Sequence, residues 1–225
     1  MDEYAALTTK EQRLIAEHLA LVLEANKTLN LTRIETVEDG MILHVEDSLA
    51  ALDEVNAAPS GMLVDVGSGG GYPGIPLAIA TKRDTLLVDA RQKKVEALAS
   101  IIEQLDLSRS ISVFAGRAEL LARKQPECCS VVTARALAKL SVILELASPL
   151  LVKGGRLVCY KAHVEADEFN DAKRVAPMTG MYLVSDREFT LSDGTTYRRI
   201  LCYEKKAKPQ AKLPRKEGYA QKHPL

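Results

Sequence analysis

The chain has 225 residues, of which 47% are hydrophobic and 27% charged, the balance of a globular protein with one sizeable buried core. Its 30 lysines and arginines match 30 acidic residues, so the formal net charge is zero. This excludes nucleic-acid binding by bulk charge and leaves only a local patch for that purpose.

Aromatic residues make up 4% of the chain and tryptophan is absent, which speaks against a module built on base stacking. The N-terminus is charged and lacks an apolar signal core, and no apolar run spans a bilayer. The four cysteines, Cys128, Cys129, Cys159 and Cys202, lack the Cys-x-x-Cys spacing of zinc sites, and no His-x-x-x-His pair accompanies them. The expectation is a cytoplasmic protein with reduced thiols, no metal and no membrane partner.

In chain order, Thr8-x-x-Glu11 reads as a capping box. It opens a helix whose apolar stripe runs Leu14, Ile15, His18, Leu19, Val22 and Leu23. His18 lies on that stripe and reads as a packed or capping side chain. A second helix begins near Thr36 and turns Met41, Val45, Leu49 and Leu52 inward, with His44, Asp47 and Ser48 on or beside that face. Either a structural cap on the core or a substrate-side lid fits the pair.

From Met62 the rhythm becomes strand, loop, helix, repeated, the signature of a parallel sheet. Strands are expected to end at Asp65 and to cover 85–89, 111–114, 130–133 and 156–160. An amphipathic helix with Val95, Leu98, Ile101, Ile102 and Leu105 follows the second, and Ala134-Arg135-Ala136 is expected to open a helix after the fourth. A polar helix spans about 164–174. Two strands, 181–189 and 197–203, close the series around Asp193-Gly194. Beyond Cys202 lysines, arginines and prolines accumulate, predicting a solvated, partly disordered tail able to neutralise phosphates.

Asp65-Val66-Gly67-Ser68-Gly69-Gly70-Gly71-Tyr72-Pro73-Gly74-Ile75-Pro76 lies between the first strand and a helix start. Its glycines let backbone approach a ligand. The dinucleotide fingerprint needs Gly-x-Gly-x-x-Gly, whose third glycine would fall where Tyr72 stands. Gly67-x-Gly69-x-Gly71 after an acidic residue is instead the pattern of S-adenosylmethionine methyltransferases, and this spacing speaks against a nicotinamide dehydrogenase. Other strand ends carry matching groups: Asp89 to accept ribose hydroxyls, Ala118-Glu119 to meet adenine, Arg135 toward the reacting group. Glu119 could equally be a first-turn acid, and Arg135 a structural ion-pair partner.

These motifs, with Asn30-Leu31-Thr32, His44-x-x-Asp47-Ser48 and Arg215-Lys216-x-Gly218 to His223-Pro224-Leu225, resemble the glucose-inhibited division protein B family. The resemblance runs from about Asn26 to the C-terminus. It implies a class I S-adenosylmethionine-dependent methyltransferase fold, α/β and Rossmann-like, with a mostly parallel seven-stranded sheet, an antiparallel last strand and an N-terminal helical cap. The expected organisation is a cap at 1–56, a methyltransferase core at 57–204 and a basic tail at 205–225. The implied activity is methylation of guanine N7 in the 530 loop of 16S ribosomal RNA, on free RNA or the small ribosomal subunit, by a monomer. S-adenosylmethionine would meet Gly67, Gly69, Gly71, Tyr72, Ala118, Glu119 and Arg135, with Asp89 and Ala90 at the ribose. The chain departs from the family at Ala134, where serine is common, and at Lys161-Ala162, where Lys-Gly is common.

The chemistry suits what the sequence lacks. Guanine N7 has a free lone pair and loses no proton, so no general base is expected, and Arg135 is the one catalytic candidate, as a positioning group. No cysteine stands in a nucleophile setting, and the Asn/Asp-Pro-Pro-Tyr motif of exocyclic-amine methylation is absent. Two alternatives share the cofactor residues or the RNA: a methyltransferase acting on another RNA, a protein or a small molecule, and a non-catalytic ribosome-assembly factor.

Overall fold

A computed structural model describes residues 2–225. Six short or long turns of helix come first: α1 (Asp2–Ala5), α2 (Thr9–Leu29), α3 (Val37–Gly40), a π-helical turn (Met41–Glu46), α4 (Asp47–Leu49) and α5 (Leu52–Asn56). Strands and helices then alternate as β1 (Leu63–Val66), α6 (Gly74–Thr81), β2 (Thr85–Asp89), α7 (Gln92–Gln104), β3 (Ile111–Ala115), α8 (Ala118–Lys124), β4 (Cys129–Arg135), α9 (Leu140–Ala147) and β5 (Leu151–Lys161). The series ends with α10 (Ala166–Met178), β6 (Met181–Thr190), β7 (Tyr197–Lys205) and α11 (Tyr219–Lys222).

The seven strands form one sheet in the order β3-β2-β1-β4-β5-β7-β6. All pairings are parallel except those of β7, which runs antiparallel to both β5 and β6. This is the expected class I methyltransferase sheet with helices preceding it. Side chains alternate across it, as strand geometry requires. Val64, Val66, Leu86, Val88, Val132 and Leu157 pack toward α8, α9 and α10. Leu87 faces α2, α6 and α7, and Leu63, Val131, Val158 and Ile200 face α5 and α6. With both faces covered, β1 is buried at every residue, the usual state of a parallel strand. Strand order reverses at β1, which pairs with β2 on one side and β4 on the other, so a crevice opens beyond their carboxyl ends.

The capping box forms as expected: Thr8 N–H donates to Glu11 Oε2 at 2.8 Å and Glu11 N–H to Thr8 Oγ1 at 3.4 Å. Ile15, His18, Leu19 and Val22 form the buried stripe of α2. All four cysteines are free, and Cys129, Cys159 and Cys202 are buried. Among the described residues, no helix is long and apolar enough to cross a membrane, and no cluster of His, Cys, Asp or Glu is arranged to hold a metal ion.

Four expectations change. β4 extends to Arg135, so Ala134-Arg135-Ala136 ends a strand instead of opening a helix; Ala136 has φ 52°, a left-handed conformation that cannot start a right-handed helix, and α9 begins only at Leu140. β5 starts at Leu151 because Lys153-Gly154-Gly155 is absorbed in an irregularity, Cys129 pairing with Leu151 and Val131 with Arg156. α10 continues past Arg174 to Met178 because Val175 and Ala176 prolong its buried stripe. The basic tail is ordered and docked at several points, while Lys206, Lys208, Lys212, Lys216 and Lys222 stay exposed to solvent. Buried Lys205 donates to the Leu151 carbonyl at 2.6 Å, Arg123 donates to the Arg215 carbonyl at 2.8 Å, and Ala220 is buried. Arg215 makes a two-pronged pair with Glu145 of α9, whose side chain is 2% exposed.

A carboxylate buried that deeply needs its cation, and removing one partner of such a pair costs about 3–5 kcal/mol. Arg215→Ala should therefore lower the urea-unfolding free energy by about 3 kcal/mol, and adding Glu145→Gln should recover most of it. A loss within about 0.5 kcal/mol, the range of an ordinary surface substitution, would mean the tail is undocked in solution.

Candidate functional site

The glycine loop leaves β1 at the strand reversal and is held from three sides. Gly67 has φ 80°, and a Cβ there would stand 2.8 Å from Leu137 Cδ1, so only glycine permits both the turn and this approach. Beneath the loop, Ser68 Oγ donates to the Asp65 carbonyl at 2.9 Å and accepts from Val88 N–H at 3.1 Å, joining β1 to β2. The Asp65 carboxyl accepts from Thr133 Oγ1 at 2.7 Å and Gly74 N–H at 3.3 Å. Burial raises its pKa to about 6 despite these donors. From the cap, His18 Nε2 bonds the Gly70 carbonyl at 3.0 Å. A carbonyl only accepts, so Nε2 carries the proton; Nδ1 has no hydrogen-bond partner among the described residues. Burial lowers the His18 pKa to about 4.

Tyr72 is sandwiched between histidines, its ring centroid 4.5 Å from His18 and 4.3 Å from His44, nearly parallel to the latter. The Arg135 guanidinium carbon lies 5.6 Å from the same centroid, within cation–π range. Burial raises the Tyr72 pKa, keeping the phenol neutral.

A cleft of about 310 Å³ opens over the loop, lined by Gly67, Gly69, Asp89, Ala90, Ala118 and Glu119 with Gly116, Ala136 and Leu137. Asp89 Oδ2 accepts from Gly69 N–H at 3.2 Å and Oδ1 from Arg91 N–H at 2.8 Å. Each oxygen of a carboxylate has room for another donor, so the two together suit a vicinal diol. Val66, Val88 and Leu137 add apolar surface. Diol acceptor, apolar walls and exposed loop backbone fit the ribose and base of a nucleoside cofactor.

The remaining site candidates stand elsewhere. Gly71, with φ 89°, would put a Cβ 2.7 Å from Ile75 Cδ1 and so serves packing under the loop. Arg135 lines a second, more open cleft of about 860 Å³, with Thr32, Arg33, His44, Lys161, His163 and Arg198. Its Nη1 donates to the Leu43 carbonyl and to Asp47 Oδ2, both at 3.0 Å, and Nη2 donates to His44 Nδ1 at 3.1 Å. With Nδ1 accepting, the His44 Nε2–H points at Thr32 Oγ1, 2.8 Å away. Burial and the Arg135 charge lower the His44 pKa to about 3, so at neutral pH it is an uncharged spacer with both nitrogens engaged. Asp47 Oδ1 also accepts from Arg198 Nε at 3.0 Å. Ala136 lines both clefts.

Four contributors escaped the sequence reading. Arg198 is the second residue of β7, and its pairing with Asp47 crosses most of the chain. Gly116 and Arg117 directly precede Ala118-Glu119 and were within reach of the same strand-end argument. Gln221, at the rim of the first cleft, gave no local signal because only the reversal of the tail brings it there.

The buried groups set opposed pH effects. His18 is neutral in the fold with a pKa near 4, below its unfolded value of about 6.5. Its contribution is present above pH 6.5 and lost as pH falls toward 4. Asp65, raised to about 6, acts in reverse, stability falling as pH rises from about 4 to 6. His18→Gln should therefore remove about 3 kcal/mol of acid-induced destabilisation between pH 7 and 4, read as the pH profile of unfolding free energy relative to the unmodified chain. Parallel profiles would show that His18 is not held neutral against the loop.

Comparison with known proteins bears on the fold and the family. Similar folds include the B. subtilis tRNA methyltransferase TrmK, with TM-score 0.58 and 16% identity over 73% of this chain and 67% of that one. An O-methyltransferase from Bacillus cereus in complex with SAH also gives TM-score 0.58, with 17% identity over 84% and 90%. Among sequence relatives, ribosomal RNA small subunit methyltransferase G of Lactiplantibacillus plantarum is 34% identical over 98% of this chain and 92% of its own length. The Desulfitobacterium hafniense protein of the same name is 36% identical over 91% and 85%. The family model described as rRNA small subunit methyltransferase G matches residues 11–192, and the chain belongs to that family.

Proposed function

We propose that this S-adenosylmethionine-dependent methyltransferase methylates N7 of a guanine in the 530 loop of 16S ribosomal RNA, as a cytoplasmic monomer. In this reading Gly67, Gly69, Asp89, Ala90, Ala118 and Glu119 hold the cofactor, and the cleft around Arg135 receives the target nucleotide. The observation that carries it is the meeting of the two clefts at Ala136. One is furnished for a nucleoside; the other is lined by Arg33, Arg135, Lys161 and Arg198, cations suited to a phosphodiester and the acceptor edge of guanine.

The cofactor supplies an electrophilic methyl group on a sulfonium. Guanine N7 attacks with a lone pair and releases no proton, so the chain has only to bring the two into line. Orientation of this kind supplies roughly 7–11 kcal/mol of barrier reduction. Arg135 is a positioning residue here: its guanidinium is fixed by Leu43, His44 and Asp47, so its charge faces the cleft from a single place. His44, neutral and fully engaged, neither takes nor gives a proton.

The direct test is methyl transfer from labelled cofactor to small ribosomal subunits or free 16S RNA, with the product base mapped by mass spectrometry. The expected product is 7-methylguanosine in the 530 loop; label elsewhere, or none, overturns the assignment. The role of the basic cleft has its own test. Arg33 is exposed at the rim, so Arg33→Ala should weaken RNA binding and reduce the slope of log affinity against log salt by about 1. S-adenosylhomocysteine binding should not change. An unaltered slope would take the RNA path away from this cleft.

A further inference from the structure

The tail that sequence composition assigns to RNA runs instead across α8 and α9 to the rim of the nucleoside cleft. Gly218 N–H donates to Glu119 Oε1 at 2.7 Å, so the acid expected at the adenine ring is also the anchor of the tail. Arg215 is occupied by Glu145 and by the His223 carbonyl at 2.7 Å. The Arg215 guanidinium lies 4.8 Å from the Tyr219 ring centroid, and the Tyr219 and His223 rings are also 4.8 Å apart. Arg174 holds the far end through the Leu225 carbonyl at 2.7 Å. These fixings stand Gln221 against the cleft, beside Gly116, Arg117 and Ala118.

The Gln221 amide is oriented. Its Oε1 accepts from Arg117 Nη1 at 3.1 Å, which turns Nε2 away from the arginine. Among the described residues that nitrogen has no hydrogen-bond partner. Gln221 is exposed at the rim, and an amide donor oriented by Arg117 next to the positions expected to meet adenine matches the ring-nitrogen acceptors of a purine, which amide side chains commonly recognise.

Taking that cleft to be the cofactor site, we propose that residues 215–225 form its adenine-end wall and that Gln221 Nε2 donates a hydrogen bond to the bound base. Gln221 is then a cofactor-contacting residue, Arg117 orients it, and Glu119 and Glu145 moor the segment that carries it.

Calorimetry with S-adenosylhomocysteine on the full-length chain tests this. Gln221→Glu keeps an acceptor for Arg117 but has no N–H to donate; Gln221→Ala loses both. Both should raise Kd by about 5- to 10-fold, the worth of one hydrogen bond, with unfolding midpoints unchanged. Adenosine, which lacks the amino-acid end, should lose affinity by the same factor. Wild-type affinity in Gln221→Glu overturns the donor role and leaves Gln221 as a tie to Arg117. Wild-type affinity in both variants, or weakened RNA binding in place of weakened cofactor binding, overturns the wall and returns the tail to RNA. Asp89→Ala separates the premise: unchanged affinity there means the cleft itself is misassigned, whereas weakening there with unaltered Gln221 variants sinks only the wall.

Discussion

One carboxylate ties three parts of the molecule together. Asp47, 2% exposed, takes Arg135 from β4 on one oxygen and Arg198 from β7 on the other, each at 3.0 Å. A buried ion is costly unless its partners are well placed, and here both places of contact are fixed by strands. The cap is therefore pinned to the sheet at the strand reversal. From that pin follow the stack of His44 on Tyr72, the contact of Tyr72 with His18, and the bond from His18 to the glycine loop. The loop's shape is set as much by the N-terminal helices as by its own glycines. Two cations sharing one anion also leave a net positive charge facing the second cleft, which a phosphate-bearing substrate can neutralise.

The two clefts meet at a short stretch of backbone. Asp89 and Glu119 lie on one side of Ala136, and Arg135, Lys161 and Arg198 on the other. Lys161 is itself steadied by Glu168 at 2.7 Å and the Ala138 carbonyl at 3.2 Å. The left-handed turn at Ala136 lets the chain leave β4 along the boundary between the two regions before α9 begins.

What was legible in the sequence is what local period and strand-end logic encode. β2 at Thr85–Asp89 and the stripe Val95, Leu98, Ile101, Ile102 and Leu105 appear as read, because apolar spacing is decided within a few residues. The glycine loop, Asp89 and Ala118-Glu119 share one cleft because parallel strands bring their ends together. Arg135 and Tyr72 were singled out, and so were Asp47, His44 and His18, but their pairing was not, since they lie far apart in sequence. Likewise, composition gave the tail's cations without showing that Glu145 and Glu119 wait to receive it. Ion pairs across 70 or more positions, such as Arg215 with Glu145, leave no local trace.

The π-helical turn Met41–Glu46 sits directly before Asp47. Such a turn holds one residue more than an α-turn of the same span, and π-bulges recur at functional sites. Each residue in a helix advances the side-chain direction by about 100°. Removing one residue from this turn would return it to ordinary helix within the same span, leaving Asp47 in register and turning the side chains between, His44 among them, from their present directions. Length here works beside chemistry: one residue more in the same span lets His44 meet Tyr72 and Arg135 while Asp47 keeps its place against both arginines.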